Sequence, residues 1–577
     1  MKKILNKENL ILMKNSPLFF SFLINFLFVI TFLIFGSVKY EVSDDFIMQM
    51  IVSGGYTGVP SPEIVFMNIA IGYFFSFLYS MSHAVNWYFW FQVLISFISL
   101  WTITYSILKK YNNFYFKTLV FCFLCFFSND IYLLMQFTKT ATLTIIASFI
   151  LYFFNIFEDK TNKKEIVFAS ILFFLGICIR YRSLYICLPF YGVLWLVLCF
   201  KNKDYINRVL KRSGLVLLVC CFCIVINKTN TAIYKHIHPE YREYVEYNDV
   251  RSSIVDYTCL DYQYYQDELE KIHFTEIEYN NLIHWGFIDQ NVYTKEKLKD
   301  VSRVIQKYRR QHPISLKDVV KTFLEKKYWF YVSVLGVGCL FLLGFLRNRK
   351  IFKDVIVFLP LTIIILYLYM FMGRLIYRIE YSTFLSLATV LMYMITTLEE
   401  QMYSIKKLLI SLNVGMSIFR VPVYIQDPYK AHEIMYPSYY NSVKKYNCTF
   451  NDENIQYDLI NEFENHPENL YFLEFQTMIQ SYYLNFSPMK ALNPGQFRNA
   501  IYISGVDTNH STWKNILEEY NISNPAKALL RDNVYFVDNK NIENILLLLN
   551  EQSDKKIKKV LYKEVNGFKI WKLKAVE

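Results

Sequence analysis

The chain has 577 residues, of which 54% are hydrophobic, 18% are Phe, Tyr or Trp, and only 19% are charged. Charged residues make up about 25% of an average soluble protein, so this composition excludes a soluble globular enzyme, a disordered protein and a fibrous repeat. The formal net charge is +12. In a membrane protein such an excess is typical of cytoplasmic loops, so it does not indicate binding to nucleic acid.

Eleven apolar runs predict membrane-spanning helices, since a span needs roughly 20 apolar residues. The first run follows a basic leader and is too long for the core of a signal peptide, so we expect a retained helix with a cytoplasmic N-terminus. The predicted spans are 17–38, 87–108, 118–136, 140–157, 166–182, 184–200, 213–227, 328–346, 351–372, 379–396 and 408–425.

A further apolar stretch, Ile64–Met81, is predicted not to cross the membrane. With it excluded, the predicted inner loops contain 21 Lys and Arg residues and the short outer loops contain six. Positive charges concentrate on the cytoplasmic side of membrane proteins, so this asymmetry favours a stretch that lies in or on the outer leaflet. The chain is therefore expected to be a multi-pass protein of the cell membrane.

The same topology places two long polar segments outside. The boundaries divide the chain into a first membrane part (1–227), a mainly helical loop (228–327), a second membrane part (328–425) and a C-terminal domain (426–577). In the last part, short apolar runs alternate with helix-like runs, a pattern that predicts a small extracytoplasmic α/β domain. The strand-like runs are Leu470–Phe475, Ala500–Ser504, Val534–Val537, Lys558–Tyr562 and Phe568–Leu573, and the helix-like runs include Thr512–Tyr520 and Asn541–Leu549.

Two adjacent carboxylates, Asp44 and Asp45, follow the first predicted span directly. At the outer membrane face a carboxylate could act as general base for an incoming hydroxyl. The pair could instead hold a divalent metal such as Mg²⁺ or Mn²⁺ through carboxylate oxygens. A purely structural role is also open, because Asp44 could cap the helix that follows it.

Several basic residues fall on the predicted outer side, although Lys and Arg generally concentrate in the cytoplasmic loops of membrane proteins. Arginine donates two parallel hydrogen bonds to a phosphate, so these residues are candidates for binding a lipid phosphate. The alternatives are side chains that reach to the membrane interface, or ion pairs with Glu380 or Asp130. The residues are Lys139, Arg180, Arg182, Arg374 and Arg378.

Asp130 is an ionisable residue within the apolar run of the third predicted span. Such groups are costly at membrane depth and usually face a cavity or a charged partner. The sequence leaves two interpretations of Asp130 open, a functional group facing a cavity and a structural ion pair with Lys139.

The order of these features resembles the GT-C superfamily of membrane glycosyltransferases, which includes the protein O-mannosyltransferases and the aminoarabinose transferase of lipid A. That order is a basic leader, a span, Ser43–Phe46, the Tyr-Thr-Gly-Val-Pro run at 56–60, a non-spanning apolar segment, and a span that ends in Lys109-Lys110. The chain also resembles largely uncharacterised multi-pass proteins of low-GC Gram-positive bacteria. That resemblance is carried by Asp44–Pro60, by Asn248–Arg251 through His284–Asp289, and by Gly373–Arg378.

The resemblance implies a glycosyltransferase that takes a sugar from a polyprenyl-phosphate donor in the outer leaflet. Transfer to a cell-envelope glycan, lipid or protein, with inversion at the anomeric carbon of the sugar, would follow. By the same resemblance Asp44 or Asp45 is the catalytic base, with Asp44 preferred, and the outward-facing basic residues hold the lipid phosphate. Asp130 and Arg251 are candidates for supporting roles.

Three other classes of protein share some of these features. An O-antigen-type polymerase or ligase would also combine many spans with outward-facing arginines and a large outer loop. A transporter or flippase would be expected to show inverted repeats and polar groups near the membrane midplane. A structural or receptor role is the remaining alternative. The acid pair directly after the first span and the α/β tail favour the glycosyltransferase.

Overall fold

The computed structural model describes residues 16–36, 38–257, 259–313, 315–318, 321, 337–338, 354–397, 458–474, 487–538, 541–565 and 568–576. The helices of the first half of the chain are α1 (Pro17–Phe35), α2 (Ser43–Ser53), α3 (Ile69–Met81), α4 (Trp87–Lys110), α5 (Phe114–Tyr132), α6 (Phe137–Phe157), α7 (Lys163–Arg180), α8 (Leu184–Lys201) and α9 (Ile206–Ile237). The later helices are α10 (Pro239–Val255), α11 (Gln266–Lys271), α12 (Glu276–Ile283), α13 (Lys295–Gln311), α14 (Phe358–Phe371), α15 (Tyr377–Thr396), α16 (Asp458–Asn465), α17 (Ser511–Glu519), α18 (Pro525–Ala528) and α19 (Ile542–Glu551).

Seven helical stretches among the described residues are long and apolar enough to cross a membrane, which makes the chain a helical membrane protein. They comprise α1, α4, α5, α6, a 39-residue stretch formed by α7 and α8, a stretch that contains α9, and α15. At the centre of this bundle every residue from 137 to 156 of α6 is buried. Helix α15 is buried along its length except at Arg378.

The stretch formed by α7 and α8 reverses direction at Arg180, where the backbone is extended (φ −155°, ψ 99°). Glu165 near its start pairs with Lys109, and Lys201 at its end pairs with Asp354. Together with the pair of Arg208 and Asp159, these contacts gather the loops around 109–113, 158–165 and 201–208 at one end of the bundle, here called the basic end. The two halves of the stretch therefore correspond to the predicted spans 166–182 and 184–200.

The other predicted spans have different outcomes. Those at 17–38, 87–108, 118–136, 140–157, 213–227 and 379–396 fall on helices that are long enough to cross. The span predicted at 351–372 coincides with α14, which has 14 residues and is shorter than a span. The span predicted at 328–346, apart from residues 337–338, and the span predicted at 408–425 lie outside the described residues, so the number eleven stays a prediction.

The opposite end of the bundle, here called the domain end, is organised by a short parallel pair of strands. Strand β1 (Lys39–Tyr40), which follows α1, pairs with β2 (Leu134–Met135), which follows α5. Helix α3, within the stretch predicted not to span, has only 13 residues. Asn68 at its start donates to the backbone of Asn227, and Tyr79 near its end donates to Asn86 beside Tyr40. Both ends of α3 therefore lie at the domain end.

The C-terminal part forms an α/β unit at the same end. Its five strands are β3 (Leu470–Leu473), β4 (Ala500–Tyr502), β5 (Val534–Val537), β6 (Lys556–Val565) and β7 (Phe568–Val576), arranged in the order β4-β3-β5-β7-β6. Strands β3, β4 and β5 are parallel, whereas β7 is antiparallel to both of its neighbours. Each of the five predicted strands coincides with an observed strand, and the two predicted helices correspond to α17 and α19.

Candidate functional site

The two carboxylates after the first span lie in the first turn of α2. Val42 before this helix is extended, and acidic side chains in a first turn are favoured by the positive end of the helix dipole. The helix ends at Gly54, which adopts a left-handed conformation (φ 76°) that suits glycine. Adjacent positions of a helix point about 100° apart, so Asp44 and Asp45 face different surroundings.

Asp45 is fully buried between α2, α4 and α6. Its Oδ1 accepts hydrogen bonds from the Tyr88 hydroxyl at 2.8 Å, the Gln92 amide at 3.0 Å and the backbone N–H of Phe137 at 3.1 Å. Burial raises the pKa of Asp45 to about 7, against the hydrogen bonds from Tyr88 and Gln92. These contacts fit a residue that fixes the position of α2.

Asp44 retains some access to solvent, with 15% of its side chain exposed. Its Oδ2 lies 4.0 Å from the guanidinium of Arg378, the first basic residue of α15. Burial raises the pKa of Asp44, and Arg378 acts in the opposite direction, with smaller contributions of the same sign from Arg180 and Arg251. Asp44 is thus a carboxylate surrounded by arginines at the domain end of the bundle.

A cavity of about 400 Å³ lies between the chain at 65–68, the end of α7, α9 and α10, and two of its lining residues, Arg180 and Asp256, also act on the pKa of Asp44. Arg180 lines the cavity, and its guanidinium lies over the rings of Phe66 (4.5 Å) and Phe137 (5.2 Å). Arg182 also lines it, more exposed, and forms a long ion pair with Asp249 at 3.8 Å. Two of the predicted phosphate-binding residues are therefore in this cavity.

Arg374 lines the same cavity and is held by Asp256. The Asp256 carboxylate accepts from Arg374 at 2.8 Å and from Arg251 at 3.2 Å, so one acid joins two arginines. Arg251 is fully buried, donates twice to Asn248 and lies 4.9 Å from the Trp285 ring. Arg251 therefore contacts Arg374 indirectly, through the Asp256 carboxylate that both arginines share.

Lys139 is separated from this group. It is fully buried and contacts Glu41 at 2.8 Å and Asp130 at 3.7 Å, and it donates to the backbone oxygens of Asp130 and Leu134. Its ammonium also lies over the Tyr377 ring. The structural alternative for Asp130, an ion pair with Lys139, is therefore the arrangement observed, and Lys139 does not line the cavity that contains the arginines.

Two cationic residues of the cavity were not predicted, Lys228 and Lys235. They lie seven residues apart, on one face of α9, with Thr231 between them. Helix α9 continues to Ile237, ten residues beyond the predicted end of the span at 227, and this extension carries both lysines into the site. The spacing of Asn227, Lys228, Thr231 and Lys235 was the available signal.

The described residues do not fit a metal centre at the acid pair. Asp45 uses Oδ1 for three hydrogen bonds inside the protein, and Asp44 faces Arg378. Within the described part of the chain, no group of three or more His, Cys, Asp or Glu residues is arranged to hold a metal ion.

Comparison with known proteins gives no relative for this chain: no family model, curated protein or solved structure matches it.

Proposed function

We propose that this protein is a membrane glycosyltransferase of the GT-C type, which moves a sugar from a polyprenyl-phosphate donor to a cell-envelope acceptor. The observation that supports this most is the partly exposed Asp44 carboxylate, which lies 4.0 Å from Arg378 and is influenced electrostatically by Arg180 and Asp256, two residues that line the cationic cavity. Transfer of a sugar to a hydroxyl needs a base for the hydroxyl and positive charge for the departing phosphate.

The surroundings of the cavity suit a lipid donor. Helix α3 exposes Tyr73 and Phe77, and the end of α9 exposes Ile233 and Ile237. A polyprenyl chain held in the bilayer would lie along these apolar surfaces without exposing polar groups to lipid, with dispersion contacts as the gain. The two helices approach each other where Tyr73 packs against Tyr234. This places apolar surface beside the cationic cavity.

In the proposed mechanism the acceptor hydroxyl donates its proton to Asp44. The acceptor oxygen forms a bond to the anomeric carbon of the sugar, while the bond between that carbon and the phosphate oxygen breaks. The phosphate leaves with the electron pair of the broken bond. Arg180, Arg182, Arg374 and Arg378 stabilise the negative charge of the departing group, as planar donors suited to phosphate. Asp45 holds α2 in place for this step.

The proposed orientation has the basic end in the cytoplasm and the domain end outside. It rests on the asymmetry of Lys and Arg residues between the two sets of loops, 21 against six. The α/β unit and the segment of α10 to α13 would then cover the site from the extracytoplasmic side.

Comparative analysis of cell-envelope glycans tests the proposed function. Glycans from cells with the gene, without it, and with the gene restored are separated and compared by composition. We expect one sugar or one linkage to disappear on deletion and to return with the restored gene. Identical glycans in all three samples, under conditions in which the protein is expressed, would argue against an envelope glycosyltransferase.

A further inference from the structure

Arg180 is held by aromatic rings instead of by a carboxylate. Its guanidinium lies over Phe66 and Phe137, and these two rings stack on each other with centroids 5.7 Å apart. Phe66 adopts a left-handed backbone conformation (φ 71°), which is strained for a residue other than glycine. Among the described residues Arg180 has no hydrogen-bond or ion-pair partner, so its N–H groups remain available to the cavity.

Lys228 is held in a similar way. Its ammonium lies 4.0 Å from the centre of the Tyr181 ring, and it pairs with no carboxylate in the described part of the chain. Lys235, two helical turns further along α9, likewise has no ion pair with a described residue. Aromatic rings fix such cations without neutralising their charge, since the attraction arises from the ring quadrupole. Three cationic groups thus line one cavity without an ion pair to any carboxylate in the described part of the chain.

The charge of the cavity sets the charge of the ligand that fits it. Five cationic side chains and two carboxylates line the cavity, which is an excess of three positive charges. A sugar on a polyprenyl monophosphate is a phosphodiester with one negative charge, whereas a sugar on a polyprenyl diphosphate carries two. Unneutralised charge in a partly buried site is costly, so the more highly charged group fits better.

We propose that the donor carries its sugar on a polyprenyl diphosphate, with Arg180, Lys228 and Lys235 as the additional contacts for the second phosphate. This inference rests on the proposed glycosyltransferase function and specifies its substrate. The acceptor oxygen bonds to the anomeric carbon, the carbon–oxygen bond to the diphosphate breaks, and polyprenyl diphosphate leaves with that electron pair. Asp44 takes the proton of the acceptor hydroxyl, so atoms and charge balance.

The test is a comparison of two short lipid probes that keep the sugar ester, glucosyl farnesyl diphosphate and glucosyl farnesyl monophosphate, on the full-length protein in lipid nanodiscs. Binding is measured by titration calorimetry. We expect the diphosphate to bind at least about tenfold more tightly than the monophosphate. Arg180→Gln and Lys228→Gln should reduce this preference to about threefold or less. Lys211→Gln, an exposed lysine at the basic end, serves as the matched control and should leave the preference unchanged.

Equal affinity for the two probes would overturn the inference, and so would an undiminished preference in both cavity variants. Lys228 is exposed, so its variant keeps the test valid even if Arg180→Gln does not fold. Sugar transfer from a polyprenyl-monophosphate donor that is as efficient as from the diphosphate would refute the diphosphate proposal and leave the glycosyltransferase intact. Preferential diphosphate binding without transfer from either donor would support the site and contradict the proposed function.

Discussion

Asp507 shows how burial sets the ionisation of a carboxyl group where the α/β unit meets the first loop of the domain end. The side chain is fully buried, and its Oδ2 accepts a hydrogen bond from the Tyr56 hydroxyl at 2.9 Å. Its Oδ1 has no hydrogen-bond partner among the described residues. Burial is the largest influence on the carboxyl and raises the pKa of Asp507 to about 6.

The raised pKa of Asp507 predicts a pH-dependent stability. The folded state binds the proton more tightly than the unfolded chain does, so the stabilisation present below pH 4 is lost as the pH rises to about 6. The difference corresponds to about 3 kcal/mol. Asp507→Asn keeps the shape and the acceptor for Tyr56 but cannot ionise, so it should remove this part of the pH dependence.

The measurement is the unfolding free energy of wild type and Asp507→Asn in detergent between pH 4 and pH 7. Asp45 also titrates in this range, but it is present in both proteins and cancels in the difference. We expect the variant to gain stability relative to wild type as the pH rises. A constant difference across the whole range would show that Asp507 does not titrate as described.

The residues of the site could be predicted only in part. Asp44, Arg374 and Arg378 were recognised because acids and arginines on the outer side of a membrane protein are unusual in the sequence. Lys139 satisfied the same criterion but lies in a buried ion pair with Glu41, 98 residues earlier in the chain, because β1 and β2 bring the two segments together. Sequence alone does not reveal that pairing.

At the scale of elements, the sequence predicted that the segment containing α3 is apolar but does not span the membrane. The charge asymmetry of the loops indicated that Ile64–Met81 does not cross, and the helix has both ends at the domain end. Its position depends on Gly72, where the helix crosses the chain at Pro62. A Cβ at Gly72 would lie 1.8 Å from the Pro62 carbonyl oxygen, so only glycine allows this approach.

Gly72→Ala is therefore expected to displace α3 and to lower the stability of the protein. The contact is with backbone, which cannot move aside as a flexible side chain can, so we expect a loss of about 2 kcal/mol or more. Gly192→Ala in α8 is the matched control, because a Cβ there meets nothing within 4 Å. That variant should be neutral or slightly stabilised, since alanine favours helix over glycine.

Thermal unfolding of both variants in the same detergent measures this difference. Helix α3 also borders the cationic cavity through Asn68, so Gly72→Ala should reduce lipid-phosphate binding together with stability. Equal melting temperatures for the Gly72 and Gly192 variants would contradict the close crossing of α3 and Pro62.

At the scale of the whole molecule, the α/β unit forms hydrogen bonds to the loop that follows α2. The backbone N–H groups of Gly495 and Phe497 donate to the carbonyl oxygens of Gly54 and Gly55, both at 2.9 Å. The His510 ring contacts the carbonyl oxygen of Glu63 at 2.6 Å. These pairs join residues more than 400 positions apart. Strand and helix patterns predicted the unit itself, but they contain no information about what it packs against.

The shared location of the α/β unit and the Asp44 loop predicts that both lie on one side of the membrane. A reporter fused after Glu577 should be active as an extracytoplasmic reporter and inactive as a cytoplasmic one, because the basic loops lie at the opposite end of the bundle. A second fusion in the loop around Lys160, at the basic end, is the control and should give the reverse result. Cytoplasmic activity after Glu577 would contradict the proposed orientation.

The proposed mechanism requires that Asp44 accept the proton of the acceptor hydroxyl. It is tested most directly by sugar transfer from a polyprenyl-linked donor in purified membranes, with Asp44→Asn compared with wild type at equal expression. Asp300→Asn, an exposed acid on α13, is the matched control. We expect Asp44→Asn to lower transfer by roughly 10²–10⁴, the usual contribution of a general base, and Asp300→Asn to leave it unchanged. Near-native transfer by the Asp44 variant would contradict the mechanism.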